Sequence, residues 1–298
     1  TSFDDASLTP FGLRLDALEV DYVTPDDGNI QAIGQVREYR ANVTLINPDA
    51  SEETGVIRVN HPLRVHGSPI YLIANGYAPT LTVRDADGEI VYSESMPFIP
   101  QDTNLTSLGV VKVPYGLEYE GEPTQLGLRG FFYPSKVELE SGAYTSSYPD
   151  LTNPLLTLDA FVGDLGIDAG MPQSVYALDT TNMTQLTGRA IEVESLELGL
   201  GDTVDLPGGM GTISFEASPR YASFDVMQNP AQEWVLVFAL LALAGLGSSL
   251  FVPRRRMWVK ALPVDDGVVL QYAALARGDD PSLERATEQL REQHRERL

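Results

Sequence analysis

The stretch from Leu13 to Val23 reads LRLDALEVDYV, and its apolar and polar residues alternate almost without a break. Such alternation puts the apolar side chains on one face of an extended chain, so it predicts a half-buried β-strand. The turn signal Asp26-Asp27-Gly28-Asn29 follows directly. This strand sets the pattern for most of the chain.

Strand-length apolar runs separated by Gly, Pro and Asp turns continue to residue 230, and no long stretch there has helical periodicity. These runs are Ala41–Asn47, Gly55–Asn60, Ile70–Ala74, Thr80–Arg84, Glu89–Tyr92, Gln125–Phe132, Leu155–Val162, Ala190–Leu198 and Gly211–Phe215. Asp85-Ala86-Asp87-Gly88 predicts a hairpin turn between two of them. We therefore predict a mainly β chain whose residues 1–230 form a large antiparallel β-sandwich or barrel-like domain. A boundary in Glu118–Pro123 or in Ser141–Pro154 would divide it into two subdomains.

A different pattern begins at Trp234, where WVLVFALLALAGLGSSLFV runs to Val252 without a charge or a proline. As a helix, residues 231–252 would be about 30 Å long, which matches one hydrocarbon core. The alternative, a buried helix of a soluble protein, is disfavoured by this length and unbroken apolarity. The sequence thus predicts one transmembrane helix over 231–252.

Basic residues indicate the orientation of this segment. Arg254, Arg255, Arg256 and Lys260 follow it closely, whereas the nearest basic residue before it is Arg220. Because basic residues mark the cytoplasmic side, we expect residues 1–230 to be extracytoplasmic and 253–298 to form a short cytoplasmic tail. The only two tryptophans, at positions 234 and 258, bracket the segment as interface anchors do.

The tail carries its own signals. Met257–Leu262 and Gly267–Gln271 predict a short strand pair. A charged C-terminal helix is expected from Pro281, with Asp280 as its N-cap. The chain starts at Thr1 without a visible export signal, so we expect it to be part of a longer chain.

The net charge of −22 comes from 42 acidic and 20 basic side chains. The 33 acidic and 11 basic residues up to Pro230 account for the whole excess. Such a surface repels nucleic acid and attracts cations or basic partners, although high solubility is the simpler explanation. No nucleic-acid partner is predicted.

The chain has no cysteine and three histidines, at positions 61, 66 and 294. A disulfide framework, a thiolate metal site and a cysteine nucleophile are therefore excluded. No Ser/His/Asp grouping or paired-carboxylate spacing is visible, so we assign no catalytic residue and no metal ligand. Gly163-Asp164-Leu165-Gly166 lacks the spacing of a calcium loop and predicts a turn.

The densest motif is Asn60-His61-Pro62-Leu63, which continues through His66 and Gly67 to Tyr71. Two histidines five residues apart share neither a helix face nor a strand face, so they do not predict one joint site. A single histidine can ligate haem iron. The simpler interpretation is that Asn60-His61-Pro62 forms a turn in which His61 bonds to the backbone.

Several stretches, taken in order, resemble the ResB family of System II cytochrome c biogenesis proteins. They are RVNHPLRVHGSPIY at 58–71, GVVKVP at 109–114, GDLG at 163–166, SVYALD at 174–179, and the apolar helix followed by RRRMWV at 254–259. Together they extend over most of residues 10–262.

The resemblance implies a function that the residues alone do not give. ResB-like proteins have three membrane helices before the large extracytoplasmic domain and a fourth after it, so this chain would lack the first three. They act in the bacterial plasma membrane with a ResC-type partner that handles haem. The two export haem and attach it to the Cys-X-X-Cys-His thiols of apocytochrome c. This chain would then be at most a non-autonomous part of a haem lyase complex.

Site residues are carried over from the same resemblance. His61 is the one candidate for haem handling, and Asn60, Pro62, Leu63, Gly67 and Tyr71 are motif residues. Haem would be transported or presented by the complex. The competing hypothesis is a single-anchor, non-catalytic ectodomain for adhesion, sensing or scaffolding. A membrane-anchored hydrolase is disfavoured by the missing nucleophile.

Overall fold

The structure, a computed structural model, describes residues 10–167, 174–227, 231–251, 254–265 and 267–297. It contains two compact units, Thr1–Gln228 and Asn229–Leu298. The strands of the first unit are β1 (Gly12–Tyr22), β2 (Val36–Ile46), β3 (Glu52–Arg58), β4 (Leu63–Val65), β5 (Ser68–Tyr77), β6 (Thr80–Arg84), β7 (Ile90–Ser95), β8 (Ile99–Pro100), β9 (Ser107–Tyr119), β10 (Glu122–Tyr133), β11 (Lys136–Glu138), β12 (Tyr144–Ser146), β13 (Leu155–Gly163), β14 (Met183–Gln185), β15 (Leu196–Gly199), β16 (Thr203–Asp205), β17 (Thr212–Ala217) and β18 (Arg220–Val226).

All pairings between these strands are antiparallel, so the predicted mainly β, antiparallel class is confirmed. The Leu13–Val23 alternation forms β1. The Asp85–Gly88 signal forms the turn between β6 and β7, where Gly88 has φ +87° and the Asp85 carboxylate accepts the backbone N–H of Asp87. Alternating apolarity and turn chemistry therefore located about half of these strands, whereas β9 and β18 were not predicted.

A smaller sandwich packs the sheet β1-β2-β3 against the sheet β18-β5-β4. Its core is a buried apolar cluster of Ala41, Val43, Leu45, Ile57, Val65 and Ile70. The polar faces of β1 and β2 point to solvent and carry ion pairs, such as Arg40 with Glu19 and Glu38. One face in the core and one in water is what the alternating sequence requires.

A larger sandwich packs the sheet β14-β13-β10-β9-β8 against the sheet β16-β17-β6-β7. Strand β15 also pairs with β13. Its core includes two edge-to-face aromatic contacts, Tyr77 with Phe132 and Phe132 with Phe215. Strand β5 links the two cores, because Ile70 lies in the smaller one and Tyr77 in the larger one.

Two predictions about this unit are wrong. Glu118–Pro123 is not a domain boundary: it is the tip of the β9–β10 hairpin, where Glu122 pairs with Tyr119 and Gly121 has φ +83°. Ala190–Leu198 is a strand only from Leu196, because Arg189–Ile191 forms a 3-10 turn. In both places local composition suggested one structure and long-range pairing determined another.

The second unit contains α1 (Gln232–Phe251), β19 (Arg255–Val264), β20 (Gly267–Ala276) and α2 (Leu283–Arg295). The predicted strand pair is confirmed as a longer hairpin with no register shift. Apolar side chains of α1 are exposed, for example Leu243 at 64% and Leu250 at 75%. Among the residues that the structure describes, no helix is both long and apolar enough to cross a membrane, so the predicted transmembrane segment is not confirmed.

Helix α2 begins later than predicted. Its N-cap is Ser282, not Asp280. The Asp280 carboxylate instead accepts hydrogen bonds from the Arg255 guanidinium, with Nε 2.6 Å from Oδ2, and from the Ser282 backbone N–H. Tyr272 of β20 contacts His294 of α2 through its hydroxyl, 3.1 Å from Nδ1. Helix α2 therefore packs on one face of the β19–β20 hairpin.

Candidate functional site

The Asn-His-Pro-Leu motif begins in a tight turn after β3. Arg58 and His61 exchange backbone hydrogen bonds of 3.0 and 3.2 Å, so Val59 and Asn60 form a two-residue loop. Asn60 has φ +61°, a conformation that asparagine tolerates better than most residues. The exposed His61 ring places Nδ1 3.2 Å from the Val59 carbonyl oxygen. A turn with His61 near the backbone is therefore confirmed, although it is centred on Val59–Asn60 and not on the predicted Asn60-His61-Pro62. A role for His61 in haem handling stays a prediction.

The other motif residues shape the corner of the smaller sandwich. Leu63 packs on its core, and a Cβ at Gly55 would lie 3.1 Å from Leu63 Cδ2. Gly67 has φ +87° in the turn between β4 and β5, and Tyr71 pairs with Asp225 across β5 and β18. Pro62 is half-buried. These contacts explain the motif by packing and turn geometry.

His66 lies in the next turn, separate from His61. It has φ +48°, and its ring centroid is 6.5 Å from that of Phe11. In the described part of the chain, no three His, Asp or Glu residues are grouped so that they could hold a metal ion. The two histidines therefore occupy the ends of successive hairpins.

Three of the other stretches quoted for the resemblance meet at one end of the larger sandwich. Lys112 of β9 donates through Nζ to the Ser174 carbonyl oxygen at 3.1 Å. Gly127 of β10, which pairs with Lys112, lies under Leu178, where a Cβ would be 2.7 Å from Leu178 Cδ1. The absence of a side chain at Gly127 lets this segment cross the sheet closely.

The Gly163–Gly166 stretch follows β13 at the same end. The Asp164 carboxylate accepts the Gly166 backbone N–H at 2.7 Å, and Gly166 has φ +68°. Leu165 is buried, and its N–H donates to Gln125 Oε1 at 2.7 Å. The predicted turn is confirmed. Only strand pairing across β9, β10 and β13 brings these stretches together, so their proximity was not visible in the sequence.

A recess of about 510 Å³ opens beside this turn, and we call it the motif recess. It is lined by Pro114, Tyr115, Gly116, Pro123, Gln125 and Asp164. Tyr115 is 72% exposed, which is unusual for a large aromatic side chain. An exposed aromatic ring beside prolines and a carboxylate can hold an extended peptide by apolar contact and charge.

A larger groove of about 1030 Å³ lies on the outer face of the same sheet. Its lining includes Arg129, Phe131, Tyr133, Tyr144, Asp159 and Arg189. The Arg129 guanidinium lies 5.2 Å from the centroid of the Phe161 ring, and Ser195 Oγ donates to Asp159 Oδ1 at 2.6 Å. Burial raises the pKa of Tyr133. Because Glu194 and Glu197 also line it, this outer groove offers a ligand apolar, cationic and anionic groups, and no sequence motif pointed to it.

A mostly buried cation joins the two sandwiches. Tyr22, Tyr77, Asp150 and Arg220 form what we call the Arg220 cluster. The guanidinium carbon of Arg220 lies 4.4 Å from the Tyr77 ring centroid and 5.5 Å from that of Tyr22. One guanidinium nitrogen is 3.1 Å from Asp150 Oδ1, which also accepts the Tyr77 hydroxyl.

The electrostatics of the Arg220 cluster follow from this arrangement. Burial raises the pKa of Tyr77, which keeps its hydroxyl protonated. Partial burial alone would raise the pKa of Asp150, but the Leu151 backbone N–H and the Arg220 guanidinium outweigh it and hold the pKa below its usual range. The cluster therefore stabilises the junction.

Of three comparisons with known proteins, one found a match. No curated protein and no solved structure matches the chain. The model of the ResB-like family matches residues 1–288, nearly the whole chain, and the protein therefore belongs to the ResB-like family.

Proposed function

We propose that this protein is a membrane subunit of a System II cytochrome c assembly complex. In that complex it supports haem export and the covalent attachment of haem to apocytochrome c, together with a ResC-type partner. The observation that carries the proposal is the family match over residues 1–288. ResB-like proteins are membrane components of cytochrome c biogenesis, so the coarser function follows from membership alone.

The composition supports a scaffolding contribution. The chain has no cysteine, so the thiols that react with haem would belong to the client protein. Its charge of −22 favours a basic client over an acidic one. The motif recess, bounded by stretches on which the resemblance rests, is the surface that we propose for an extended client segment.

The geometry of His61 supports its proposed contact with haem. Nδ1 faces the Val59 carbonyl oxygen, which can only accept, so the ring proton belongs on Nδ1. The lone pair of Nε2 then remains as the one that can ligate iron. Because His61 is exposed on a hairpin turn, an approaching haem would not have to displace core residues.

The site is tested by complementing a strain that lacks the gene. We expect His61→Ala to lower covalent haem in c-type cytochromes by about tenfold, the usual scale for a lost metal-site contact. His66→Asn is the matched control, because it removes the neighbouring exposed histidine and keeps a residue that tolerates φ +48°. Wild-type haem staining in the His61→Ala variant would exclude a role in haem handling and leave His61 with a role in the turn alone. Normal c-type cytochromes in the deletion strain itself would overturn the proposed function.

We further propose that lipid covers α1, with residues 1–230 outside the plasma membrane and 253–298 in the cytoplasm. The exposed leucine, valine and phenylalanine side chains of α1 support an apolar environment. The native chain offers no thiol, so single cysteines report topology cleanly. In intact cells, an impermeant maleimide should label Ser51→Cys and spare Asp279→Cys. Equal labelling of both would refute this orientation.

A further inference from the structure

The β19–β20 hairpin has one face that nothing in the described part of its unit covers. Strict pairing without a bulge fixes which side chains share each face. Leu270, Tyr272, Ala274 and Ala276 of β20 are partly buried on the face that meets α2. The opposite face is exposed, with Leu275 at 60% and Val269 at 48%.

We call this opposite face the cationic hairpin face. It includes the exposed residues Arg256, Trp258, Lys260, Val269 and Leu275, and Leu262 on the same face is half-buried. Trp258 lies between the two cations on β19 and is 49% exposed. The residues of the paired strands on this side include no carboxylate, although the chain as a whole has a charge of −22.

The face of the hairpin that meets α2 uses charge differently. Its Arg255 is neutralised by Asp280, whose side chain is only 4% exposed. Arg256 and Lys260 have no ion pair within the described residues. The cationic hairpin face thus keeps two free positive charges around an exposed indole.

Chain length limits where this face can lie. Only residues 252–254 separate the end of α1 from the start of β19. Four residue steps span at most about 14 Å, so Arg255 must lie near the end of α1. If lipid covers α1, the hairpin begins within the headgroup region.

We infer that the cationic hairpin face lies on an anionic lipid surface. Arg256 and Lys260 would pair with headgroup phosphates, and Trp258 would sit at the level where an amphipathic indole is most stable. Leu275 and Val269 add apolar contact beside it. The inference rests on the proposed embedding of α1 and adds a second lipid contact, which fixes the tail against the membrane.

The two tryptophans make the inference measurable. Trp234→Phe leaves Trp258 as the only indole in the full chain, which is reconstituted in vesicles of brominated lipid. We expect bromine to quench Trp258 in phosphatidylglycerol-containing vesicles and much less in pure phosphatidylcholine. High salt should reduce the difference because it screens charge.

Charge-removal variants test the cause. Arg256→Gln with Lys260→Gln should weaken docking by about 30-fold, the effect of two charges near an anionic surface, and should abolish most of the Trp258 quenching. Arg285→Gln with Arg297→Gln removes the same charge from the α2 region and should leave quenching unchanged. Loss of quenching in both pairs would show a non-specific charge effect and overturn the inference.

The complementary variant separates this inference from the proposed anchoring. Trp258→Phe leaves Trp234, on α1, as the reporter. Quenching of Trp234 together with lipid-independent Trp258 emission would refute docking of the hairpin and leave the anchor standing. Quenching of neither would refute both. A Trp258 signal that follows protein concentration, not lipid composition, would assign the face to a second copy of the chain and also overturn the inference.

Discussion

Replacing Arg220 should loosen the junction between the two sandwiches. The side chain is 14% exposed and stacks on two tyrosine rings, with Tyr77 itself only 1% exposed. Arg220→Met keeps most of the apolar stem but removes the guanidinium. The variant therefore measures the contribution of the planar cation with little change in the volume that the side chain fills.

The expected cost can be added from the contacts. The two partly desolvated cation–π contacts contribute about 1–2 kcal/mol together. The ion pair adds about 0.5–1 kcal/mol, because Asp150 is 53% exposed and water screens it. We therefore expect Arg220→Met to lower the free energy of unfolding by about 1.5–3 kcal/mol. Arg220→Lys keeps the charge and loses the planar stacking on the tyrosine rings. Its free energy of unfolding should therefore lie between those of Arg220→Met and wild type.

Urea unfolding of the detergent-solubilised chain, followed by circular dichroism, measures these differences. Arg64→Met is the matched control, since Arg64 is exposed and should change the free energy by less than about 0.5 kcal/mol. A double-mutant cycle with Asp150→Asn should give a coupling of about 1 kcal/mol between Asp150 and Arg220. If Arg220→Met unfolds like the control, the junction does not depend on the cation.

The same pair predicts a pH dependence. The pKa of Asp150 is lowered in the folded protein, so its charge adds stability above the unfolded value of about 3.9. That contribution is lost as pH falls through the folded pKa. Without Arg220, the pKa of Asp150 should be higher than in wild type, because partial burial raises it and the guanidinium no longer opposes that effect. The stability gap between wild type and Arg220→Met should therefore narrow below about pH 4. If the difference in unfolding free energy between wild type and Arg220→Met is constant from pH 3 to 6, the ion pair between Arg220 and Asp150 does not contribute to stability.

Three further predictions concern other sites. Hydrogen bonds from Arg37 and from Thr24 hold the pKa of Asp27 at about 2, so its stabilising charge is lost only as pH falls from about 4 through that value. Carboxyl NMR should show this pKa rise toward its ordinary range in Arg37→Gln, and an unchanged titration would contradict the ion pair. A Cβ at Gly130 would overlap the Thr157 carbonyl oxygen, so Gly130→Ala should cost about 3 kcal/mol or more in urea unfolding, and wild-type stability would refute this close approach. Tyr115→Ala should lower covalent haem attachment while the urea midpoint stays unchanged, because the ring is exposed; normal haem staining would exclude the motif recess as a client surface.

Part of the candidate site was predictable because it is local. The turns at Val59–Asn60 and at Gly163–Gly166 follow from residues that tolerate or favour left-handed backbone, and such residues can be identified from the sequence alone. The family stretches were also visible one by one. Their meeting at Lys112 and Ser174 was not, because 62 residues separate the two and strand register decides the contact.

The outer groove and the Arg220 cluster were missed for the same reason. Arg129 and Asp159 are opposite each other only through the β10–β13 pairing. In the sequence, Arg220 has the pattern of an ordinary strand residue. Its role is visible only in the fold, where β1, β5 and the segment around Asp150 contact it. No periodicity marks a residue whose partners come from three distant parts of the chain.

The sequence by itself determined the mainly β class, many of the strands, the hairpin turns, the apolar helix and the uneven charge. These follow from side-chain period, turn chemistry and composition, which act over a few residues. Only the tertiary structure decided that the strands form two sandwiches joined at Arg220 and that β15 starts late at Leu196. It also decided that one hairpin face carries two cations with no ion pair among the described residues. Those features depend on which strands pair and what each face packs against, and this is a property of the whole chain.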